Sequence, residues 1–181
     1  MDFNIDCVIG IDPGRSGGIA IYTSDSLTRV VKMPKETTDL RYLLQYYKER
    51  YRVLVFLEKL SVRPDDIGGE NKMGKLYRIT KLLANYEQLK ATIESEGVPY
   101  VMVHPGKWTA ALGLRKVRPD ETKAERKARY KEFAARNYPG IKVTLWNADA
   151  LNIMHFGRTI LLNKPKWVAE QIPDREIEKL L

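Results

Sequence analysis

The 181-residue chain is long enough for one domain with a sizeable core and short for two. Hydrophobic residues make up 44% of it and charged residues 30%, which excludes a generally disordered chain, and no apolar run approaches the roughly 20 residues that span a bilayer. The formal net charge of +8 favours a polyanionic partner or an anionic surface, although charge alone fits a basic protein without such a partner equally well.

The only cysteine of the chain, Cys7, lies inside an apolar run. A single thiol excludes an internal disulfide and a metal site made of several thiolates, and this favours a reducing compartment. The N-terminus has no basic region before its apolar run, so we expect no signal peptide. The expected location is the cytoplasm, or the host-cell cytoplasm for a viral protein, and we expect no membrane partner.

Short β-branched runs separated by turns predict four strands and one helix in the first third of the chain. Thr37 or Thr38 can cap the helix, which carries Leu40, Leu44 and Tyr47 on one side. The fourth strand is apolar almost throughout, as a strand covered on both faces would be. The predicted strands are Cys7–Ile11, Gly17–Tyr22, Thr28–Lys32 and Val53–Leu57.

The rest of the chain predicts mainly helices, and the order of elements indicates one α/β domain over residues 1–181. Its mixed β-sheet is flanked by helices, and residues 164–181 form a polar C-terminal tail. The predicted elements are a glycine-rich loop at 61–74, a long helix that Gly97 stops, a strand at 100–103, a short helix at 107–114, a charge-rich helix after Pro119 and an apolar helix at 148–162.

Three carboxylates adjoin segments that would otherwise be buried. Asp12 ends the first strand, Glu58 ends the fourth strand, and Asp149 enters the last apolar helix. Each has a structural explanation by itself, since Asp12 can start a turn, Glu58 can pair with Lys59 or Arg63, and Asp149 can cap its helix. Converging carboxylates, however, repel one another and require a hard divalent cation. As a set they predict a metal site, and two such ions suit phosphodiester cleavage.

Five segments occur in an order that is more specific than any one of them. They are Gly10–Ala20, which contains Asp12-Pro13-Gly14-Arg15-Ser16; Phe56–Lys59; the loop and helix start through Gly74; Val103–Trp108; and Ala148–Leu151. Together they resemble the RuvC-like Holliday junction resolvases, particularly those of bacteriophages, over most of the chain. The resemblance implies an RNase H-like fold and a crossover junction endodeoxyribonuclease that makes paired nicks in four-way or branched DNA.

The resemblance also implies what the site contains. Asp12, Glu58 and Asp149 are its catalytic and metal-binding residues, Mg²⁺ is the cofactor with two ions expected, and Mn²⁺ can substitute. The resolvases act as homodimers in DNA recombination and repair, so a homodimer is the expected assembly. The stripe Leu76, Ile79, Leu83 and Tyr86 of the long helix is the expected dimer surface, unless that stripe covers the sheet.

One departure from the family pattern concerns the last helix. The family places a second carboxylate about one turn before the position of Asp149, and here Trp146 stands there. Asn147 is the preferred replacement ligand and is also counted as catalytic, although it can instead cap the helix. Asn152, one turn after Asp149, is a second candidate ligand. His155 is nearby but is expected to be packed or hydrogen-bonded.

Two basic stretches, one on each side of the strand at 100–103, predict contacts with DNA phosphates. The second stretch can equally be a solvated helix face with ion pairs such as Glu121–Glu125–Arg129. Tyr77 can wedge at a branch or belong to the core. The predicted DNA-binding residues are Arg15, Lys59, Arg63, Lys72, Lys75, Arg78, Lys107, Lys116 and Arg118.

Three other functions remain open at this point. A non-catalytic binder of branched DNA would explain the missing carboxylate, and an RNase H-type nuclease acting on RNA–DNA hybrids would share the fold. An ATP-handling protein of the actin and sugar-kinase type also begins with a strand, an Asp and glycines. That class needs a second glycine-rich phosphate loop, and nothing after Leu60 supplies one.

Overall fold

The computed structural model describes residues 3–14, 16–62, 72–177 and 180. Within these ranges the strands are β1 (Cys7–Asp12), β2 (Gly18–Thr23), β3 (Thr28–Lys32), β4 (Val53–Glu58) and β5 (Tyr100–Val103). The helices are α1 (Thr37–Lys48), α2 (Lys72–Ser95), α3 (Pro105–Ala111), α4 (Lys123–Asn137), α5 (Ala148–Asn163), α6 (Pro165–Ala169) and α7 (Asp174–Ile177).

The five strands form one mixed sheet in the order β3-β2-β1-β4-β5. Short turns join β1, β2 and β3, which pair antiparallel. Helices α1 and α2 make the longer connections that parallel pairing requires, so β4 pairs parallel with β1 and β5 pairs parallel with β4. The predicted α/β architecture, a mixed sheet flanked by helices, is confirmed. β1 lies at its centre, and both carboxyl ends of β1 and β4 reach the same edge.

Side chains alternate between the two faces of the sheet and divide the core into two parts. Val8, Leu54 and Phe56 face α5, together with residues from α3, α4 and α6. Ile9 and Val55, which belong to the same two strands, face α1 and α2 instead. Because both faces are covered, the central strands are apolar at nearly every position.

Helix α5 lies very close to the sheet because two glycines give it room. A Cβ added to Gly10 of β1 would be 2.3 Å from the backbone nitrogen of Met154 and 2.5 Å from the carbonyl oxygen of Ala150. A Cβ added to Gly157 of α5 would be 2.4 Å from the Phe56 ring. The glycines therefore set how far the start of α5 stands from the end of β1.

Helix α2 has two dissimilar halves. Tyr86, Leu89 and Ile93 in its second half are buried against the sheet. In its first half, Tyr77 has 68% of its surface exposed and Leu76 has 40%. The apolar stripe predicted along this helix therefore covers the sheet in one half and faces outwards in the other.

Two local features differ from the sequence predictions. Glu36, rather than Thr37 or Thr38, is the N-cap residue of α1, and no side chain caps that helix. The segment expected as a polar tail contains α6 and packs against the domain. Its apolar residues Val168, Ile172 and Leu180 are buried, and the Leu180 carbonyl accepts a hydrogen bond from the Asn4 backbone N–H at 2.9 Å. No helix in the described ranges is long and apolar enough to cross a membrane.

The close approach of α5 to β1 makes Gly10 a sensitive position. Gly10→Ala should lower the free energy of unfolding by about 3 kcal/mol, since its methyl group meets backbone atoms that cannot turn aside. The matched control is Gly140→Ala, where nothing lies within 4 Å of the added Cβ. Urea unfolding of both variants measures the difference. Equal stability of the two variants would contradict the close packing described here.

Candidate active site

Asp12 and Glu58 lie at the carboxyl ends of neighbouring parallel strands. The β1–β4 register pairs Ile11 with Leu57, so the next position of each strand carries a carboxylate. Alternation along the strands puts Asp12 on the face of Gly10 and Glu58 on the face of Phe56, which is the face that α5 covers. Both carboxylates are therefore directed towards the start of α5.

The third carboxylate comes from the first turn of α5. Asp149 has 5% of its surface exposed, and its Oδ1 atom is buried with no hydrogen-bond partner among the described residues. A carboxylate in the first turn of a helix is favoured by the helix dipole. An acceptor that is buried and unpaired is unfavourable unless a proton or a cation reaches it. Asp149 therefore has a free oxygen at the edge where β1 and β4 end.

The three carboxylates influence one another electrostatically. Burial, and after it the charges of Asp149 and Glu58, raise the pKa of Asp12 to about 8, although Lys127 lowers it. Burial also raises the pKa of Glu58, while a hydrogen bond from Trp108 lowers it. Buried carboxylates therefore lie near one another at the end of β1, where their negative charges are unfavourable.

Trp108 in α3 holds one oxygen of Glu58. Its indole Nε1 donates a hydrogen bond to Glu58 Oε1 at 2.8 Å, and the tryptophan has only 1% of its surface exposed. Helix α3 starts directly after β5, the neighbour of β4, with Pro105 at its first position and the His104 side chain accepting from the Gly106 backbone N–H. The short helix therefore fixes the orientation of the Glu58 carboxylate.

Lys127 in α4 is the positively charged group of the site. Its Nζ donates to Asp149 Oδ2, and the lysine side chain is 34% exposed against 6% for the aspartate. Burial disfavours the charged form of Lys127, but attraction first to Asp149 and then to Asp12 outweighs it and raises the pKa. Lys127 is therefore charged at neutral pH and compensates part of the negative charge.

The position of the family's missing carboxylate is filled by a packed aromatic ring. Trp146 lies against Gly18, where an added Cβ would be 3.0 Å from the ring, and Gly18 is the ladder partner of Asp12. Lys32 has its Nζ 5.9 Å from the centre of the same ring. No oxygen ligand comes from this position, so any replacement must come from another residue.

Asn147 is held within the loop that precedes α5. Its Oδ1 accepts from the Thr144 backbone N–H at 2.8 Å, and its Nδ2 donates to the Lys142 carbonyl at 3.1 Å. The alternative role as a side-chain cap is wrong, because Asn147 is the N-cap residue but makes no side-chain cap hydrogen bond. Its roles as a ligand and a catalytic residue stay predictions, and the two hydrogen bonds to the loop speak against them.

Asn152 and His155 lie further along α5. Asn152 is fully buried, donates to the Tyr130 carbonyl at 3.0 Å, and has an Oδ1 atom without a partner among the described residues. Its role as a second ligand stays a prediction. The His155 Nδ1 atom is 3.0 Å from the Tyr138 hydroxyl oxygen, and the imidazole packs edge-on against Phe133. His155 is thus packed and hydrogen-bonded, as expected.

The predicted DNA-binding residues fall into two groups. The first group follows Glu58 in the sequence. Lys59 comes directly after β4, and Lys72, Lys75 and Arg78 lie in the first turns of α2. Lys59, Lys72 and Arg78 are exposed, and Arg78 also donates to the Gly74 carbonyl at 3.2 Å. Arg15 and Arg63 lie outside the described residues.

The other predicted basic residues have partners within the chain. Lys107 places its Nζ 3.6 Å from the centre of the Trp167 ring, and Lys116 donates to the Pro119 carbonyl. Arg118 pairs with Asp120 at 3.1 Å and with Glu125. A further pair, Arg129 with Glu121 at 2.7 Å, shows that this stretch contains the ion pairs of the structural alternative.

The residues present suit a hard divalent cation. Asp12, Glu58 and Asp149 offer carboxylate oxygens as ligands, and the unpaired Oδ1 of Asp149 is a buried acceptor in need of a positive charge. Among the described residues no three acidic, histidine or cysteine side chains stand close enough together to hold an ion by themselves. Mg²⁺ commonly keeps several waters and binds through one or two carboxylates, so this spacing is compatible with it.

Sequence reasoning missed two residues that touch the carboxylates. They are Lys127, which lies in the second basic stretch, and Trp108, which ends the segment Val103–Trp108. Both contacts join elements far apart in the chain, and nothing in one sequence specifies such a pairing. The helical spacing of Lys123, Lys127 and Lys131 does put these lysines on one face of α4, which is the available signal.

Comparison with known proteins identifies the fold. No family model matches the chain, and no curated protein matches it. Among solved structures, it is similar to T. thermophilus RuvC in complex with Holliday junction substrate, with a TM-score of 0.53 and 17% identity over 87% of this chain and 96% of that one. A second Thermus thermophilus RuvC structure has a TM-score of 0.48 and 18% identity over 92% of this chain and 98% of that one. The chain therefore has a RuvC-like fold of the RNase H-like class, as the motifs implied.

The raised pKa of Asp12 predicts how stability depends on pH. Between its ordinary pKa of 3.8 and about 8, the native state holds a proton that the unfolded state has lost, so the free energy of unfolding falls as the pH rises through this window. The slope is at most about 1.4 kcal/mol per pH unit. Urea unfolding in a chelator between about pH 5 and about pH 8 measures it.

Asp12→Asn provides the comparison, because asparagine does not titrate. The variant should lose most of the slope, while all other titrating groups stay as they are. Added Mn²⁺ should stabilise the parent more at the upper end of the window, since the cation favours the ionised carboxylate. Equal slopes in the parent and the variant would mean that Asp12 titrates normally.

Proposed function

We propose that this chain is a divalent-metal-dependent endonuclease that resolves Holliday junctions or other branched DNA, similar to the RuvC-like resolvases of bacteriophages. One observation carries the proposal: Asp12, Glu58 and Asp149 come from three separate elements to one edge of a RuvC-like sheet. A structural role explains each carboxylate alone. None explains why three should be brought together where burial makes their charges costly.

The residues of the site divide the work between them. Asp149 offers an unpaired carboxylate oxygen, Trp108 orients Glu58, and Asp12 is close enough to both carboxylates to feel their charges. A divalent cation bound there supplies an activated water and stabilises negative charge on the phosphate. Lys127 holds a fixed positive charge beside the carboxylates, where a phosphodiester would enter.

The proposed contact with the substrate is made by basic residues that come after Glu58 in the sequence, up to the first turns of α2. Lys59, Lys72 and Arg78 are exposed there and carry no acidic partner among the contacts of the described residues. Such side chains bind phosphates without reading base sequence. A RuvC structure of similar fold contains Holliday junction substrate, which supports branched DNA as the partner.

We further propose that the protein is a homodimer formed through the first half of α2. This half exposes Met73, Leu76, Tyr77 and Leu83, whereas the second half covers the sheet. Apolar side chains exposed at helical spacing favour contact with another protein surface. Symmetric cleavage of a four-way junction needs two active sites related by a two-fold axis, and a two-fold helix pair provides that relation.

A non-catalytic binder of branched DNA is the second candidate function. Trp146 in place of a carboxylate and the ion pair of Lys127 with Asp149 both lower the negative charge available to a cation. Cleavage assays with Mg²⁺, Mn²⁺ and a chelator on four-way, linear and RNA–DNA hybrid substrates separate the candidates. Hybrid cleavage without junction cleavage would identify the RNase H type.

The metal ligands can be tested by neutral substitutions of the same shape. Asp12→Asn and Glu58→Gln should each lower junction nicking by about 100-fold or more, because the carboxylates stabilise the transition state. Junction affinity should stay within about threefold of the parent, since these residues contribute little to docking. Nicking rates and gel-shift affinities give the two readouts. A variant that cuts at the parent rate would remove its residue from the mechanism.

The dimer and the substrate preference can be tested together. Leu76→Glu should convert the dimer to a monomer, as measured by analytical ultracentrifugation at micromolar concentration, and should abolish paired nicking. Leu162→Glu is the matched control, because Leu162 is an exposed leucine on α5. Parent binding to a four-way junction should weaken steeply with salt through counterion release. A monomeric parent without preference for junctions would leave only a general nuclease.

A further inference from the structure

The negative charge of the acidic site is partly neutralised by the chain itself. Asp12, Glu58 and Asp149 supply three carboxylates, and the ammonium of Lys127 lies against Asp149 Oδ2. When all four of these described groups are ionised, together they carry two net negative charges. One divalent cation neutralises that charge, whereas a second would leave the buried site positive.

The absence of a fourth carboxylate also affects the net charge of the acidic site. The family position that would carry it is Trp146, whose ring packs on Gly18 beside Asp12. Four carboxylates would carry the charge for two divalent cations. The described site has three carboxylates and the ammonium of Lys127, so its charge matches one divalent cation.

Lys127 is held in this place by its surroundings. Its Nζ is 5.7 Å from the centre of the ring of Tyr130, a buried residue one turn along α4, and its partner Asp149 is almost fully buried. The carbonyl oxygen of Tyr130 also accepts a hydrogen bond from Asn152 Nδ2 of α5. Helices α4 and α5 thus meet through two polar contacts one turn apart, and the register of these contacts aims the ammonium at Asp149.

Oxygen ligands for one cation remain after Lys127 is placed. Only Oδ2 of Asp149 contacts the lysine, and Oδ1 has no hydrogen-bond partner among the described residues. Trp108 engages Oε1 of Glu58 and leaves Oε2 for other contacts. Asp12 ends β1 beside Glu58 at the end of β4, on the face of the sheet that α5 covers.

We propose that each active site binds one divalent cation, and that the ammonium of Lys127 takes the place of the second cation of a two-metal nuclease. The cation binds the unpaired oxygen of Asp149 and the carboxylate of Asp12 or Glu58, and waters complete its coordination. This replaces the two ions expected from the family resemblance. The inference rests on the proposed function only for the identity of the site.

The experiment counts bound Mn²⁺ in the full chain without DNA. Titration at about pH 8, where carboxylates are readily ionised by a bound cation, is followed by the electron paramagnetic resonance signal of free Mn²⁺. The parent should bind one ion per chain. Two ions per chain in the parent would overturn the proposal, because Lys127 would then have to leave Asp149 and make room.

Lys127→Met removes the ammonium and keeps the apolar stem. This variant should bind its first Mn²⁺ about tenfold or more tightly, since the repulsion between ammonium and cation is gone, and should bind a second, weaker ion. Lys131→Met, one turn along the exposed face of α4, is the matched control and should behave like the parent. A Lys127→Met variant that still binds one ion with the parent's affinity would overturn the proposal.

Two further measurements keep the outcome unambiguous. Thermal unfolding shows whether Lys127→Met is folded, and Lys127→Gln replaces it if it is not. Because the count is made without DNA, it is independent of cleavage. One ion in a protein that cuts no junction supports the proposal and contradicts the nuclease function, whereas two ions in an active resolvase do the reverse.

Discussion

The approach of α5 to β1 is the constraint on which the rest of the molecule depends. Gly10 brings the backbone of the helix almost into contact with the central strand, and Gly157 lets the same helix lie on Phe56. This distance determines whether Asp149 reaches the edge where β1 and β4 end. The position of α4 depends on this distance as well, because α4 packs on α5 and places Lys127 beside Asp149. Sheet, helix pair and acidic site thus share one packing geometry.

That geometry stores electrostatic strain in the site. Three carboxylates out of water destabilise the native state, and the neighbouring groups relieve only part of this: Trp108 donates to Glu58, and Lys127 pairs with Asp149. For Asp12 the charge of Lys127 offsets only part of the cost, and its pKa stays raised. Sites of this kind exchange stability for reactivity, which is a common property of catalytic centres.

The sequence predicted the parts of the molecule that depend on short-range patterns. Apolar runs predicted the strands, and strand ends predicted where Asp12 and Glu58 lie. The sequence did not predict contacts between separate elements. Lys127 contacts Asp149 because of the register in which α4 packs on α5. Asn147 shows the same limit on a small scale, since its hydrogen bonds to Lys142 and Thr144 depend on a loop conformation that residue types do not reveal. The buried end of the chain was missed because three apolar residues are scattered among polar ones.

The order in which the chain is made has a bearing on the site. Asp12 lies near the beginning of the sequence and Asp149 near its end, with β4 and α4 between them. A nascent chain that has not yet released α5 from the ribosome has the apolar face of β1 uncovered and only two of the three carboxylates. Such a chain has no complete acidic site. The long sequence separation of these partners, which slows folding, also ensures that no partly made protein brings the three carboxylates together.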